Sequence, residues 1–380
     1  MYNLEVPPPN EIPRFVKDEG YANDDPNIMK EVMQYKQLNH FFYLNGLPRI
    51  ISGDKYRITH KIAQGAQGAV YLAEYVPDEE EKRMNKTKRG ESLRDKYVVK
   101  MPLRIKWNTV RNLLFEYMLQ YEAFSVLKGT CSAPQPLGIM RKANPNPEPG
   151  GPAHLYCLVA KFVPLYPGAY SSMILLNAYQ RHTTKPLIHI RTWRNICLSL
   201  ITAFRTLQAN DIYHNDVKAN NIMLHFFENN VQVVIIDFGL ATTGRPHRAV
   251  KNDDNTFTLC KKIPDDVREK DRPYLCPALY EQVDPIPTSD LWGVSFLLLR
   301  ISATLGLTEL VHYMQDYRSE DPRESVGFKE FFERVKQILD DDLAGSTKVM
   351  ITEFEDKADV IEYGLSEGKQ YTRHIHSFAS

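Results

Sequence analysis

Two short stretches hold residues whose types and spacing could do chemistry. Tyr213-His-Asn-Asp-Val-Lys-Ala-Asn-Asn-Ile-Met-Leu224 brings together a carboxylate, an ammonium and an amide at Asp216, Lys218 and Asn221. Downstream, Val233-Val-Ile-Ile-Asp-Phe-Gly239 places a second acid, Asp237, at the end of an apolar run and ahead of a glycine. Moving a phosphoryl group off a nucleotide calls for this set. One carboxylate accepts the proton of the attacking hydroxyl. Another carboxylate and an amide oxygen suit magnesium, a hard ion that takes oxygen ligands. The ammonium neutralises charge on the group in transit. Singly, each stretch reads as a polar turn; their order and spacing together carry the signal.

Nearer the N-terminus, Ile62-Ala-Gln-Gly-Ala-Gln-Gly-Ala-Val-Tyr71 is rich in small residues. Gly65 and Gly68 there would let backbone N–H groups close over phosphates. Alone, two glycines in a hairpin mean only a turn. Val98-Val-Lys100 follows as a strand ending in a lysine.

These residues need elements to position them. Residues 56–58 and 69–72 read as strands around a glycine-bearing turn at 62–70, and 97–101 as a third. A helix is expected from a cap at Asn108 or Thr109, with Val110, Leu113, Leu114, Tyr117, Tyr121 and Phe124 at helical spacing. Residues 137–140 and 155–163 are strand-like, separated by the loop composition of 144–152. Beyond them the chain reads mainly helical. One face of 193–207 is apolar, and 290–304 is apolar nearly all round, as a buried helix would be. Residues 1–50, with prolines at 7, 8, 9 and 13, read as an extension that begins irregularly. The charge-dense block at 77–96 reads as a solvated loop, and the polar stretch after Ala344 as a peripheral tail.

Composition narrows the function classes. With 380 residues, 47 basic and 47 acidic side chains, and 43 % hydrophobic content, the chain is long enough for a large folded core. Zero net charge argues against a dedicated nucleic-acid binder. The five cysteines are odd in number and lack C-x-x-C spacing, which points to a reducing, intracellular setting. No basic start with an apolar run marks a signal peptide, and no apolar stretch reaches membrane-spanning length.

With these residues in view, the chain resembles the eukaryotic-type Ser/Thr protein kinases, as a divergent member. The pattern H-x-D-x-K-x-x-N followed by D-F-G is specific in combination. The resemblance spans about residues 55–305. Some likeness extends to the casein-kinase-one and vaccinia-related branch, and to kinases of large DNA viruses. It implies an α+β, bilobal fold: a small antiparallel β-rich N-lobe with one main helix, about 51–163, and a mostly helical C-lobe, about 164–345. Residues 1–50 would then be an extension and 346–380 a tail. Asp216 matches the catalytic base, Lys218 the phosphate-contacting lysine, and Asn221 and Asp237 the magnesium ligands. Ile62, Gly65, Gly68, Val70, Lys100, Phe162 and Val163 match the ATP site, with Ala160 controlling the pocket behind adenine. The cofactors implied are ATP and Mg2+, and the partners are protein substrates bearing Ser or Thr.

Several positions depart from the family pattern. Ala63 stands for the first loop glycine, Ala278 for the glutamate after Tyr274-Leu-Cys-Pro, and Ser295 for a glycine after Asp290-Leu-Trp. Spacing puts Gln120 where the glutamate partner of Lys100 is expected. Either Glu116, one turn earlier, takes that role or the pair is absent; Glu116 is preferred. Asn215 replaces an arginine that grips an activation-segment phosphate, so activity is expected without phosphorylation there. Arg245, His247, Arg248 and Lys251 form a basic run that suits acidic substrates or, equally, a solvated loop. These departures leave a second reading, a scaffold that binds nucleotide or partners without phosphoryl transfer. A small-molecule phosphotransferase is a third, disfavoured by Lys218 and the long segment 240–276.

Overall fold

The computed structural model describes residues 25–65, 68–84, 96–162, 166–167, 190–227, 230–243, 250–251, 257–258, 274, 276, 288–322 and 324–354. Six strands form one sheet: β1 (Ile50–Ser52), β2 (Tyr56–Gln64), β3 (Gly68–Tyr75), β4 (Lys96–Pro102), β6 (Pro136–Ala143) and β7 (His154–Lys161). Their spatial order is β1-β6-β7-β4-β3-β2. All neighbours are antiparallel except β1, which lies parallel to β6.

Register sorts the side chains by face. Ala63, Val70, Lys100 and Leu158 sit in one row across four strands, and Val98 pairs with Ala160 two residues along. Side chains alternate with period two, so Lys100, Val70, Val98 and Ala160 share a face. The other face builds its own small core from Tyr56, Ala73, Tyr97, Val99, Cys157 and Val159. There Tyr97 meets Tyr56 edge-on at 5.1 Å between ring centres.

The Lys100 face is covered by α4 (Trp107–Val126). Its start is slightly earlier than the sequence suggests. Lys106 is the cap residue, and Thr109 closes the end from inside by accepting from the Lys106 N–H at 3.0 Å. Helix α4 buries residues all round, from Val110 and Leu113 to Phe115, Tyr117, Met118 and Leu119. A helix packed against a sheet alone would keep a polar outer face. What covers the outer side here is the later part of the stretch read as an extension: α1 (Pro26–Gln34) and α2 (Lys36–Asn45). Their apolar residues Ile28, Val32, Leu38, Phe41 and Phe42 join the main core. Asp25 caps α1 and is 2 % exposed; it accepts from Arg141 of β6 at 3.0 Å and from the Tyr156 hydroxyl of β7 at 2.9 Å. Burial pushes its carboxyl up, but Arg141, Tyr156 and the α1 amides outweigh that and leave it lowered. The Arg141 side chain is 33 % exposed, so removing it should cost less than breaking a fully buried pair, about 1–3 kcal/mol.

The remaining helices are α3 (Glu79–Met84), α5 (Ile190–Ala209), α6 (Ser289–Leu305), α7 (Thr308–Ser319) and α8 (Phe328–Phe354). Helix α3 falls in the block read as a loop, and α8 continues past Ala344, through the expected start of the tail. Helix α5 packs on α6, α8 and a second sheet. That sheet orders β5 (Cys131–Ser132), β11 (Asn230–Ile235), β10 (Ile222–Phe227) and β8 (Tyr166–Pro167). Two small pairs complete the described strands: β9 (Ile212–Tyr213) with β12 (Thr242–Thr243), and β13 (Val250–Lys251) with β14 (Phe257–Thr258). Cys131, Cys157, Cys197 and Cys276 are buried and form no disulfide. No described helix is long and apolar enough to cross a membrane.

Candidate active site

The β10–β11 hairpin explains how two distant acids come to one place. Ile222 pairs with Ile235, so the next residues outward, Asn221 and Ile236, also meet. The Ile236 N–H donates to the Asn221 carbonyl at 3.0 Å. On its other side, the Ile236 carbonyl accepts from His214 Nε2 at 2.9 Å. His214 Nδ1 accepts the Asp216 N–H at 3.3 Å, which assigns the ring proton to Nε2. Asp237 follows Ile236 directly and is therefore held against the loop that carries Asp216.

That loop is pinned from below. Buried Asp290, in the first turn of α6, accepts the N–H of His214 at 2.6 Å and of Asn215 at 2.8 Å. Burial raises the Asp290 carboxyl above its usual range, against the pull of His214. Asn215 and Asp237 both adopt left-handed backbone, with φ of 58° and 63°. Such strain in non-glycine residues persists only where surrounding bonds over-determine it. Gly293 of α6 was not singled out by sequence; a Cβ there would lie 2.7 Å from the Val217 Cβ. A lone glycine inside an otherwise apolar helix is the signal that could have found it. Asp25 was also missed, although Asp-Pro ahead of an apolar period marks a helix start.

Asp216 is gripped by its neighbours. Lys218 Nζ donates to both carboxylate oxygens at 2.8 Å, and Asn221 Nδ2 donates to Oδ2 at 2.8 Å. Asn221 thus spends its N–H2 group on Asp216 and retains its amide oxygen as a donor for a metal ion.

From the main sheet, Lys100 Nζ lies 2.6 Å from Glu116 Oε1 and 2.7 Å from Asp237 Oδ1. The side chains of Lys100 and Glu116 are 15 % and 6 % exposed, whereas that of Asp237 is 43 % exposed. Desolvation works against the Lys100 charge, but its two carboxylate partners outweigh it and raise its pKa. Desolvation likewise pulls Asp237 upward; Lys100, His214 and the Gly239 N–H win and hold it at about 2. The carboxylate is therefore ionised at neutral pH. Of the two helix positions left open by the sequence, Glu116 meets Lys100. Gln120 faces elsewhere and donates to the Pro134 carbonyl at 2.8 Å.

The remaining expected nucleotide positions line the same sheet face or its edge. Val70 and Ala160 share the Lys100 face, and Ile62 on β2 is an exposed apolar residue at 47 %. Gly65 donates its N–H to the Gly68 carbonyl at 2.9 Å across the turn. The Phe162 N–H is taken by the Lys96 carbonyl at 3.0 Å, which leaves its C=O as the group it could offer a base. Val163, Ala278, Arg245, His247 and Arg248 lie outside the described residues.

A protein-family model described as a protein kinase domain matches residues 168–325. The matched span contains Asp216, Lys218, Asn221, Asp237 and Asp290, while Lys100 and Glu116 precede it. Comparison with curated proteins finds no match. The match is to the family at large rather than to any branch of it, and it supports a protein kinase.

Proposed function

We propose that this protein is an active protein kinase that transfers the γ-phosphoryl group of ATP to Ser or Thr hydroxyls of protein substrates. The observation that carries this reading is the Lys100 ammonium bridging Glu116 and Asp237. It joins the helix, the sheet and the Asp-Phe-Gly turn through one cation. Asp216 is the proton acceptor, and Lys218, already on its carboxylate, is placed to neutralise the phosphoryl group as it moves. Lys100 would hold the α- and β-phosphates.

The donor set fits magnesium bound largely through phosphates. Asp237 is ionised and partly open, and the Asn221 amide oxygen is free of the bonds that hold its nitrogen. Among the described residues there is no group of three or more His, Cys, Asp or Glu that could hold a metal by itself. Magnesium keeps waters and takes one or two protein carboxylates plus substrate phosphates. The ion would supply charge neutralisation between the phosphates.

The scaffold reading rests on Ala63, Gln120 and Ala278; the Glu116–Lys100 pair weighs against it at Gln120. The test is label transfer from γ-labelled ATP with magnesium to a generic Ser/Thr protein substrate. Wild type is expected to transfer label, and Asp216→Ala to lose at least about a hundredfold in rate, the usual share of a positioned base. Nucleotide binding by pure wild type without any transfer would establish the scaffold instead.

A further inference from the structure

Glu116 reaches Lys100 only if α4 keeps its rotation and height over the sheet. The residues that fix both lie on α1, on α2 and at the joint between them. Tyr35 meets Phe115 edge-on at 5.8 Å, Phe42 stacks on Tyr117 at 6.1 Å, and Phe41 meets Tyr121 at 5.7 Å. Phe115 and Tyr117 are the immediate neighbours of Glu116. Further back along the helix, Arg111 of α4 donates to the Tyr35 hydroxyl at 2.6 Å and lies 5.2 Å over that ring's centre. The other end of the pair is bolted to the sheet. Asp25 holds Arg141 on β6 and Tyr156 on β7, and β7 is paired directly with β4, which carries Lys100. One short segment therefore grips the helix that bears Glu116 and the sheet that bears Lys100.

We infer that residues 26–45, anchored by Asp25, are an internal positioning element that holds α4 with Glu116 on Lys100, a role that would otherwise fall to a partner protein or a modification. The functional weight of this inference rests on the kinase reading. Its structural content, the coupling of the brace to the Lys100–Glu116 pair, does not. The residues act through Glu116 and touch no reacting group.

The test reads Lys100 directly, so that it survives failure of the kinase reading. Full-length wild type, Asp25→Asn and Phe42→Leu are treated with acetic anhydride, and Lys100 acylation is followed by peptide mass spectrometry. The same two substitutions are repeated in a Glu116→Gln background, and melting temperatures confirm that each variant is folded. With Glu116 intact, each brace substitution is expected to speed Lys100 acylation about fivefold or more. In the Glu116→Gln background the same substitutions should speed it less than about twofold, the non-additivity of residues acting through one contact. Equal acceleration in both backgrounds would show a merely structural role and overturn the proposal, as would no acceleration in folded variants. Phosphoryl transfer measured in parallel should fall with the acylation change. If wild type transfers nothing while acylation responds as described, the kinase reading falls and the brace stands.

Discussion

The two glycines of the β2–β3 turn look alike in sequence and differ in space. A Cβ on Gly68 would sit 2.6 Å from the Met101 carbonyl oxygen, so the backbone pairing with β4 must shift. Gly68→Ala is expected to cost about 1–3 kcal/mol, the usual range for forced overpacking, and to lower the melting temperature measurably. A Cβ on Gly65 meets no atom within 4 Å. Gly65→Ala should leave stability within about 0.5 kcal/mol of wild type. If the turn closes over phosphates, the same change should weaken ATP binding about tenfold by calorimetry, since the backbone amides could no longer approach as closely. Unchanged ATP affinity in Gly65→Ala would argue against a phosphate role for the turn. Glu122 gives a pH-dependent case. Burial first, and Asp211 second, push its carboxyl up to about 7. Its folded-state pKa lies above the unfolded value, so folding takes up a proton between about pH 4.5 and 7, and stability falls as pH rises through that window. Glu122→Gln, which carries no charge at any pH, should melt about 2–4 °C above wild type at pH 8. The gap should close below pH 5; a gap independent of pH would refute the assignment.

At the scale of elements, the segment after Asp237 is tied to the loop that carries Asp216 by neutral bonds. Asn215 Nδ2 donates to Thr242 Oγ1 at 2.8 Å, and β12 pairs with β9 directly upstream of the loop. An arginine at 215 would need an anion to complete it; an asparagine finishes its bond with a hydroxyl already present. Phosphatase treatment is therefore expected to leave activity unchanged, and a collapse restored by rephosphorylation would refute this. Thr242 itself is 3 % exposed with its hydroxyl engaged. Peptide mapping after incubation with Mg-ATP should find no phosphate on it. Asn215→Ala should cost about 2–3 kcal/mol, a part-buried hydrogen bond plus the left-handed backbone that alanine tolerates less well than asparagine, and lower kcat through the loop it frees.

Across the whole molecule, local patterns made the chemistry legible and tertiary partners decided the rest. Asp216, Lys218, Asn221 and Asp237 could be read because one hairpin and one short loop bring them together, with their spacing written in the chain. Five of the six strands of the main sheet and helices α5 and α6 were legible; β1, three residues long at the end of the presumed extension, was not. The Lys100 partner was not, because Glu116 and Gln120 lie on one face of α4 and only the height of the helix over the sheet chooses between them. Helices α1 and α2 were obscured by the proline-rich residues that precede them. Their apolar face has meaning only against α4, and the value of Asp25 depends on Arg141 and Tyr156, 116 and 131 positions away in sequence. That separation bears on how the chain is born. Asp25, Ile28, Val32 and Phe42 leave the ribosome long before β6 and β7 exist. At about 5–20 residues per second, they wait roughly 7–26 s for Tyr156 to be made. Helix α4, which covers the apolar face of α1 and α2, is itself complete only at Val126, so nascent chains stalled before α4 expose that face and should be the species that chaperones capture.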